Sequence, residues 1–295
     1  MALPPNDSPL LSERAPAKIN LDLRVTGRQP DGYHLLDSLV VFADCGDVLD
    51  YYPEDNLYFE ITGPFSAGLQ ANDSNLVCRT ISAFTARAKK NVTGRFVLTK
   101  NLPVASGIGG GSADAAAALR LLNRLYPDLL TGEVLKEIAF SLGADVPACL
   151  MSRTLRMRSI GEELGPVGLG FPLYILLANP GVSVETAGIF KELASSGFQF
   201  SPERDLPNKI DRLPELLDIL THSKNDLQPP ACRRVPKVAE VIDRLAESEG
   251  CRYTAMSGSG ATCFGLFDTL EAARSAGENI AMDSKSYWLQ AAVVL

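Results

Sequence analysis

Polar and apolar residues alternate strictly over residues 18–25, and this pattern predicts a half-buried β-strand. Lys18, Asn20 and Asp22 share one face of that strand, whereas the other face carries only apolar side chains. A polar face of this kind is either an exposed sheet edge or the floor of a binding site. The pattern alone favours the exposed edge, so a functional role for these three residues needs further evidence.

The remaining hydrophobic runs predict an α+β fold in two parts. Strands are predicted at 18–25, 35–42, 48–52, 95–99, 173–178, 253–256, 263–267 and 287–295. Helices are predicted at 76–89, 113–124, 132–142, 184–194 and 270–281, and a helix-rich stretch follows residues 225–227 and extends to 249. The element order of the second part indicates an antiparallel sheet with helices on one face.

A glycine- and proline-rich stretch at 165–172 is interpreted as the linker between two domains. We therefore expect an N-terminal domain at 13–164, a C-terminal domain at 165–295 and a loose tail at 1–12. Residues 195–211 are polar and are predicted to be irregular.

Composition narrows the class of protein. The 295 residues carry a formal charge of −7, with 46% hydrophobic and 21% charged residues, values that are typical of a globular protein. The acidic balance argues against a nucleic-acid-binding surface, and no apolar run reaches the ~18 residues of a membrane span. The 6 cysteines form no Cys-x-x-Cys pair, and only 2 histidines are present, so reduced thiols are expected and a structural zinc site is disfavoured. Reduced thiols are typical of a cytoplasmic protein, which we therefore expect, and residues 1–12 resemble a loose tail rather than a signal peptide.

A glycine-rich loop is the feature around which the chain is organised. It follows the strand predicted at 95–99 and contains Gly107, Gly109, Gly110 and Gly111. Ser112 is the expected N-cap of the alanine-rich helix that follows, with Asp114 in the first turn of that helix. Glycines and a helix N-terminus together present backbone N–H groups to an anion. The sequence therefore predicts a cradle for nucleotide phosphates.

Two better-known phosphate loops do not match this segment. A Walker A loop has a lysine before its Ser or Thr, but Gly111 precedes Ser112 here. The dinucleotide fingerprint has a third glycine where Ser112 stands, and it continues into a second strand, where a helix is predicted here. A flexible turn between packed elements is the alternative, and the adjoining helix start favours the phosphate cradle over it.

Two further features are candidates for chemistry. Asp145 precedes Pro147, which suits the first turn of a short helix, so the Asp145 carboxylate is expected at a helix N-terminus. A simple N-cap is the alternative explanation for Asp145, and the residue alone favours it. A second small-residue loop lies at 257–262, and two such loops in different halves of the chain predict a ligand site to which both contribute.

Several motifs resemble those of the GHMP kinase superfamily, which includes galactokinase, homoserine kinase, mevalonate kinase and phosphomevalonate kinase. Its phosphate loop resembles Pro-Val-Ala-Ser-Gly-Ile-Gly-Gly-Gly-Ser-Ala at 103–113, and its third motif resembles Ser-Gly-Ser-Gly-Ala at 257–261. Three shorter segments, at 15–21, 31–34 and 142–147, are similar to the branch that acts on 4-diphosphocytidyl-2-C-methyl-D-erythritol. The similarity extends to residues 179–186 and to 225–227 and so covers nearly the whole chain.

The resemblance implies both a fold and a reaction. The fold would be a two-domain GHMP-kinase-like α+β fold, with an N-terminal nucleotide domain similar to domain 2 of ribosomal protein S5 and a C-terminal ferredoxin-like α/β sandwich. ATP, together with Mg²⁺, would phosphorylate the 2-hydroxyl of 4-diphosphocytidyl-2-C-methyl-D-erythritol in the non-mevalonate route to isopentenyl diphosphate. The protein would bind this small molecule, but neither nucleic acid nor a membrane, and would be a monomer or a weak homodimer.

The resemblance also implies roles for individual residues. Asp145 would take the proton of the hydroxyl, and Lys18 would orient Asp145 and balance charge on the transferring phosphoryl group. The ATP-binding residues would be Asn75, Lys100, Pro103, Gly107, Ile108, Gly109, Gly110, Gly111 and Ser112. The substrate-binding residues would be Asn20, Tyr33, His34, Thr186 and Phe190, of which Tyr33, His34 and Phe190 would contact the cytosine. No residue is assigned as a metal ligand.

One stretch departs from the family pattern. Arg153, Arg156 and Arg158 stand before Gly161-Glu162, where the family usually has small residues. These arginines either pair with the diphosphate of the substrate or are solvated or salt-bridged, and we favour the second interpretation because it is the usual state of surface arginines.

Three other functions are considered at the level of sequence. Another small-molecule kinase of the superfamily would not need the motif at 31–34. A nucleotide-binding regulator without catalytic activity would need neither Lys18 nor Asp145. A scaffold function would not explain why the chain has two glycine loops, each of which costs conformational entropy on folding.

Overall fold

A computed structural model describes residues 8–30, 32–202, 204–284 and 286–295. The first seven residues of the predicted tail lie outside the described residues, as does Asp31 of the motif at 31–34. The chain forms two compact units, each assembled from separate segments. The first unit comprises the described residues up to 16 together with 46–102 and 110–151. The second unit comprises 17–45, 103–109 and the remainder from 152 onwards, as far as they are described.

The elements alternate along the chain much as the hydrophobic pattern predicts. The strands are β1 (Leu11–Asn20), β2 (Arg24–Arg28), β3 (His34–Tyr52), β4 (Leu57–Thr62), β5 (Gly94–Thr99), β6 (Leu155–Ser159), β7 (Glu163–Pro166), β8 (Gly168–Leu169), β9 (Tyr174–Asn179), β10 (Lys209–Ile210), β11 (Cys251–Met256), β12 (Cys263–Phe267) and β13 (Trp288–Val293). The helices are α1 (Leu76–Ala88), α2 (Gly110–Leu125), α3 (Gly132–Leu142), α4 (Val146–Met151), α5 (Thr186–Ser195), α6 (Leu213–His222), α7 (Gln228–Arg234), α8 (Lys237–Glu247) and α9 (Leu270–Asp283). Within the described ranges, no helix has the length and apolar character needed to cross a bilayer.

In the first unit, helices α1, α3 and α4 all contact α2. The alanine-rich face of α2 is buried, because its small side chains allow the neighbouring helices to approach closely. Strand β5 pairs in parallel with β4 and antiparallel with residues 48–52 of β3.

Helix α2 begins earlier than the sequence predicts. Gly109 has a φ of 65°, and the helix starts at the next residue, Gly110. The predicted N-cap at Ser112 is therefore wrong, because Ser112 is already helical. Asp114 lies beyond the first turn and is buried, so it does not act as the first-turn carboxylate that the sequence suggested.

In the second unit, the first half of β3 pairs with β2 and with β6, and β6 pairs with β7. The stretch 165–172 is therefore not the irregular linker that its composition predicts. Part of it belongs to β7, and part forms β8, which pairs in parallel with β10. Pro166 stands at the end of β7, a position where the missing N–H of proline limits the length of a strand without preventing pairing.

The second unit also contains a four-stranded antiparallel sheet in the order β11-β12-β9-β13. Helices α8 and α9 pack against it, and Leu176, Val241 and Ile280 belong to the shared core. The predicted antiparallel sheet with helices on one face is confirmed. Leu23 and Val25 join the same core, so the segment 17–45 packs with residues far from it in sequence.

The polar face of the first predicted strand is buried. Lys18, Asn20 and Asp22 expose only 3%, 1% and 0% of their surface, so the exposed-edge interpretation is wrong. The strand is also interrupted, because β1 ends at Asn20 and β2 begins at Arg24. Near this break Asp22 accepts the backbone N–H of Leu39 at 2.7 Å, so a side chain takes the place of a ladder hydrogen bond.

Candidate active site

The loop at 103–109 of the second unit is built so that only glycine fits its centre. Gly107 has a φ of 78°, and a Cβ added there would lie 2.6 Å from the carbonyl oxygens of both Ser257 and Gly260. The sharp turn and this close backbone approach each exclude a side chain. The first glycine loop is therefore packed directly against the second loop, at 257–262.

Lys18 is fixed against the same loop. Its backbone N–H donates to the carbonyl of Ile108 at 3.0 Å, and its side chain runs past Gly109. A Cβ on Gly109 would be 3.1 Å from the Cβ of Lys18, so the glycine allows the lysine stem to pass. A buried lysine is thus held beside the predicted phosphate cradle.

A serine hydroxyl joins Asn20 to the glycine loop. The backbone N–H of Asn20 donates to Oγ of Ser257 at 3.1 Å, and that hydroxyl donates to the carbonyl of Gly107 at 3.1 Å. The Nδ2 of Asn20 donates to Oγ of Ser38 at 2.7 Å. The strand that carries Lys18 and Asn20 is therefore held to the first loop by consecutive hydrogen bonds.

Asn225 supports the second loop from the other side. Its buried Nδ2 donates to the carbonyls of Met256 at 2.7 Å and Gly258 at 2.8 Å. Sequence reasoning noted the motif that contains Asn225 but gave neither Asn225 nor Ser257 a role. Their partners lie tens to hundreds of residues away in sequence, so the only signal available was their place in motifs shared with the family.

The residues predicted to bind the substrate base form a small cluster in the second unit. The rings of His34 and Phe190 stack with their centroids 4.5 Å apart, and Tyr33 is largely exposed beside His34. Thr186 begins α5, one turn before Phe190, and its hydroxyl lies 2.7 Å from the hydroxyl of Ser259. The structure thus brings His34 and Phe190 together, and joins Thr186 to the second small-residue loop.

The surroundings of His34 favour its neutral imidazole form. Burial and the positive charge of Arg28 both lower the pKa of His34 below its usual value. A neutral imidazole has one donor and one acceptor nitrogen, so it can recognise the edge of a heterocyclic base by a pair of complementary hydrogen bonds.

In the first unit, the predicted ATP-binding residue Lys100 forms ion pairs within the protein. Its ammonium group forms ion pairs with Asp47 and, at 2.6 Å, with Asp114. Asp47 also accepts the backbone N–H groups of Asn101 and Leu102, at 2.5 and 2.8 Å. Asp47 was not singled out by sequence reasoning, and it organises the entry to the glycine loop.

The start of α2 is more exposed than the alanine-rich stretch that follows it. Gly110 and Ser112 are half-buried and Gly111 is exposed, and the first N–H groups of a helix have no partner within the helix. Asn75 caps α1, because its Oδ1 accepts the backbone N–H of Val77 at 2.9 Å. The capping role of Asn75 is observed, and its contact with a nucleotide stays a prediction.

Asp145 also lies in the first unit, directly before α4. Its carbonyl accepts the N–H of Cys149 at 3.1 Å, and Pro147 stands in the first turn as predicted. The side chain is half-buried. The partnership of Asp145 with Lys18 stays a prediction.

The residues present fit a nucleoside triphosphate. The Gly107 turn in the second unit and the start of α2 in the first unit are each the kind of backbone arrangement whose N–H groups donate to phosphate oxygens. Among the described residues, no three His, Cys, Asp or Glu side chains are grouped as a metal site requires.

The interpretation of the arginine stretch is confirmed at two positions. Arg156 forms a bidentate ion pair with Asp37, with hydrogen bonds of 2.8 and 2.9 Å, and Arg158 forms an ion pair with Glu163 at the surface. Arg204 joins Asp37 to the buried Asp22. Burial opposes ionisation of Asp37, but Arg156 and Arg204 outweigh it and lower the pKa of that carboxyl.

Comparison with known proteins gives consistent matches. The family model of the GHMP kinases N terminal domain matches residues 75–153, and that of the GHMP kinases C terminal matches 204–282. The 4-diphosphocytidyl-2-C-methyl-D-erythritol kinase of Cereibacter sphaeroides is 49% identical over 93% of this chain and 96% of its own length. The protein of the same name from Granulibacter bethesdensis is 50% identical over 90% of this chain and 87% of its own length.

Solved structures agree with these relatives. A crystal structure of 4-(cytidine 5'-diphospho)-2C-methyl-D-erythritol kinase superimposes with a TM-score of 0.78 at 33% identity, covering 96% of this chain and 99% of that one. Homoserine kinase from Cytophaga hutchinsonii superimposes with a TM-score of 0.66 at 18% identity, over 100% of this chain and 97% of that one, and shares the fold.

Proposed function

The chain belongs to the GHMP kinase family, and from that premise we propose that it is an ATP-dependent kinase that phosphorylates the 2-hydroxyl of 4-diphosphocytidyl-2-C-methyl-D-erythritol. Relatives that bear this substrate in their names match nearly the whole chain. The product would serve the non-mevalonate route to isopentenyl diphosphate.

Two side chains would carry the chemistry. Asp145 would accept the proton of the 2-hydroxyl as that oxygen attacks the γ-phosphorus of ATP, while the bond from the γ-phosphorus to the bridging oxygen of ADP breaks. Lys18 would orient Asp145 and offset the negative charge on the transferring phosphoryl group. Phosphoryl transfer depends mainly on positioning of the reactants and on stabilisation of negative charge. A buried lysine that is held in one place can contribute to both.

The nucleotide would be held chiefly by backbone groups. The Gly107 turn, Ile108, Gly109 and the start of α2 at Gly110–Ser112 would bind its phosphates, with Pro103, Asn75 and Lys100 nearby. Mg²⁺, when bound with ATP, supplies positive charge at the phosphates. The observed ion pairs of Lys100 suggest that it acts through the loop it holds rather than through a direct contact.

The cytidine would be recognised by the cluster at His34. Neutral His34 would hydrogen-bond the edge of the base, while Tyr33 and Phe190 would contact its faces. Thr186 would contribute to the same pocket, and Asn20 would bind the substrate from the strand that carries Lys18. The motif at 31–34 favours this substrate over homoserine or mevalonate.

We propose further that the protein works in the cytoplasm on this small molecule, as a monomer or weak homodimer. The domain division at 164/165 is likewise a proposal.

The observation that supports catalysis most directly is the burial of Lys18 beside the glycine loop. A regulator that only binds nucleotide has no need of a buried lysine at that position. The test is phosphate transfer from labelled ATP to 4-diphosphocytidyl-2-C-methyl-D-erythritol, with homoserine and mevalonate in parallel. Asp145→Asn and Lys18→Met are expected to lower kcat by roughly 10²- to 10⁴-fold, the usual contribution of a general base or of charge stabilisation.

Asp73→Asn, an exposed aspartate of the first unit, serves as the matched control and is expected to leave kcat unchanged. Phosphoryl transfer to homoserine or mevalonate instead would be consistent with a GHMP kinase but would contradict the proposed substrate. ATP binding without transfer to any acceptor would favour the regulator.

A further inference from the structure

A buried cluster of three ionisable side chains lies at the start of α2, and its two carboxyl groups have no assigned part in the proposed reaction. It consists of Lys100, Asp47 and Asp114, whose side chains are 5%, 0% and 6% exposed. All three belong to the first unit.

The two carboxylates of the cluster are satisfied unequally. Asp47 accepts from the Lys100 ammonium through one oxygen and from the N–H groups of Asn101 and Leu102 through the other. Asp114 accepts from Lys100 through Oδ2 only. Its buried Oδ1 has no hydrogen-bond partner among the residues that the structure describes. A buried carboxylate oxygen that is ionised and unpartnered is costly, whereas a neutral carboxyl group is much less so.

The charges do not balance if both carboxylates are ionised. One ammonium faces two carboxylates in a site closed to water, which leaves one excess negative charge. Burial raises the pKa of Asp114, Lys100 opposes the rise, and the nearby Asp47 adds to it, with a result of about 8. Burial lowers the pKa of Lys100, but the two carboxylates outweigh it, so the lysine stays charged. Within the part of the chain that the structure describes, Lys100 and Asp47 are the charged groups that act on Asp114.

The cluster lies directly beneath the first residue of α2. A Cβ added to Gly110 would be 3.6 Å from Nζ of Lys100 and 3.8 Å from Oδ2 of Asp47. Gly110 is one of the residues proposed to bind the phosphates of ATP. The net charge of the cluster therefore acts on the place where an anion is expected, through a medium that screens poorly.

We propose that Asp114 is a positioning residue that works as a neutral carboxylic acid, fixing Lys100 under the start of α2 without adding negative charge beneath the bound phosphates. This inference rests on the proposed function, because it concerns the binding of ATP. Loss of the Asp114 proton converts the cluster from neutral to negative and weakens the binding of the nucleotide.

The test compares the wild-type protein with Asp114→Asn, which has the shape of the protonated acid and cannot ionise. The dissociation constant of Mg-ATP is measured by calorimetry from about pH 7 to about pH 9.5. The ratio of the wild-type to the variant constant is expected to be near one at the lower pH and to rise by roughly three- to tenfold at the higher pH. Taking the ratio removes the effect of every other titrating group, and Asp73→Asn should follow the wild type throughout.

A ratio that does not change with pH would overturn this inference and leave the proposed function standing. Failure of the wild type to bind ATP at any pH would overturn both. If Asp114→Asn does not fold, the carboxyl carbons of ¹³C-labelled aspartate in the wild type decide the matter by NMR. A signal that titrates near 8 supports the inference, and its absence overturns it.

Discussion

At Gly107 the backbone φ of 78° and the carbonyl oxygens of Ser257 and Gly260 together exclude any side chain. Such a position is partly predictable, because a run of glycines before a helix indicates a loop with unusual backbone angles. What approaches the glycine is not predictable, since Ser257 lies 150 residues away from its partner, Gly107. In the same way the sequence suggested a role for Lys18 and Asn20 but could not show that they are buried, because alternation describes an exposed edge equally well.

Replacing Gly107 by alanine is expected to lower the free energy of unfolding by roughly 2 kcal/mol or more and to abolish ATP binding. A left-handed φ costs an alanine about 1 kcal/mol, and the added methyl group also meets two backbone oxygens. Denaturant unfolding and calorimetry measure the two effects. Gly165→Ala is the matched control, since a Cβ there meets nothing within 4 Å. Equal stability of the two variants would contradict the packing described for Gly107.

Arg28→Gln is expected to raise the pKa of His34. Burial and the charge of Arg28 both lower that pKa in the wild type, so removing the charge leaves burial alone. The chain has 2 histidines, and the exposed His222 provides an internal reference signal in an NMR titration of the imidazole protons. A pKa that stays at the wild-type value or falls would show that Arg28 does not act on His34.

At the scale of elements, hydrophobic periodicity located most helices and strands but not their ends. Helix α2 starts at Gly110 because the positive φ of Gly109 turns the chain there, and the propensity of glycine pointed to a later start. Strand β4 was not predicted, and it has no buried residue, so it lacks the buried face on which a prediction from hydrophobic runs depends. The stretch at 165–172 was misread because glycine and proline are common both in linkers and at the ends of short edge strands.

Gly111→Ala is expected to change stability and ATP affinity in opposite directions. A Cβ on Gly111 would meet only Leu76, at an ordinary 3.7 Å, and alanine favours the helix, so the free energy of unfolding should rise by roughly 0.5 kcal/mol. The methyl group also obstructs the approach of a phosphate, and ATP affinity should fall roughly tenfold, as for one lost hydrogen bond to a charged group. Gly132→Ala, at the start of α3, should show the first effect at most and leave ATP affinity intact. Unchanged affinity in Gly111→Ala would place the phosphates elsewhere.

At the scale of the whole molecule, contacts that are distant in sequence decide the structure, and these the sequence could not give. Arg204 lies 182 residues from Asp22 and 167 from Asp37, in a region where no motif was recognised. Its guanidinium nevertheless binds both carboxylates and the hydroxyl of Ser223. The family fold was predictable because short motifs reveal ancestry, whereas a particular ion-pair network leaves no local pattern.

Arg204→Met is expected to lower the free energy of unfolding by about 3 to 5 kcal/mol, because it leaves the buried carboxylate of Asp22 without its cation. Burial already raises the pKa of Asp22 despite Arg204. Arg212→Met, which removes an ion pair that is 74% and 42% exposed, is the control and should cost at most about 0.5 kcal/mol. Urea unfolding of both variants at neutral pH measures the difference, and similar midpoints would show that the Arg204 network contributes little.

The segmented make-up of the two units has a consequence for how the chain is synthesised. All segments of the first unit have left the ribosome once residue 151 is free, whereas residues 17–45 still lack most of their partners. Ala43 forms an isolated β-bridge with Val294, and Leu23 forms one with Asn225. Well over a hundred further residues must therefore be synthesised before either bridge can form. We expect the nascent chain to fold its first unit while residues 17–45 are still exposed, and Asn20, which bonds Ser257, to become buried only near the end of translation.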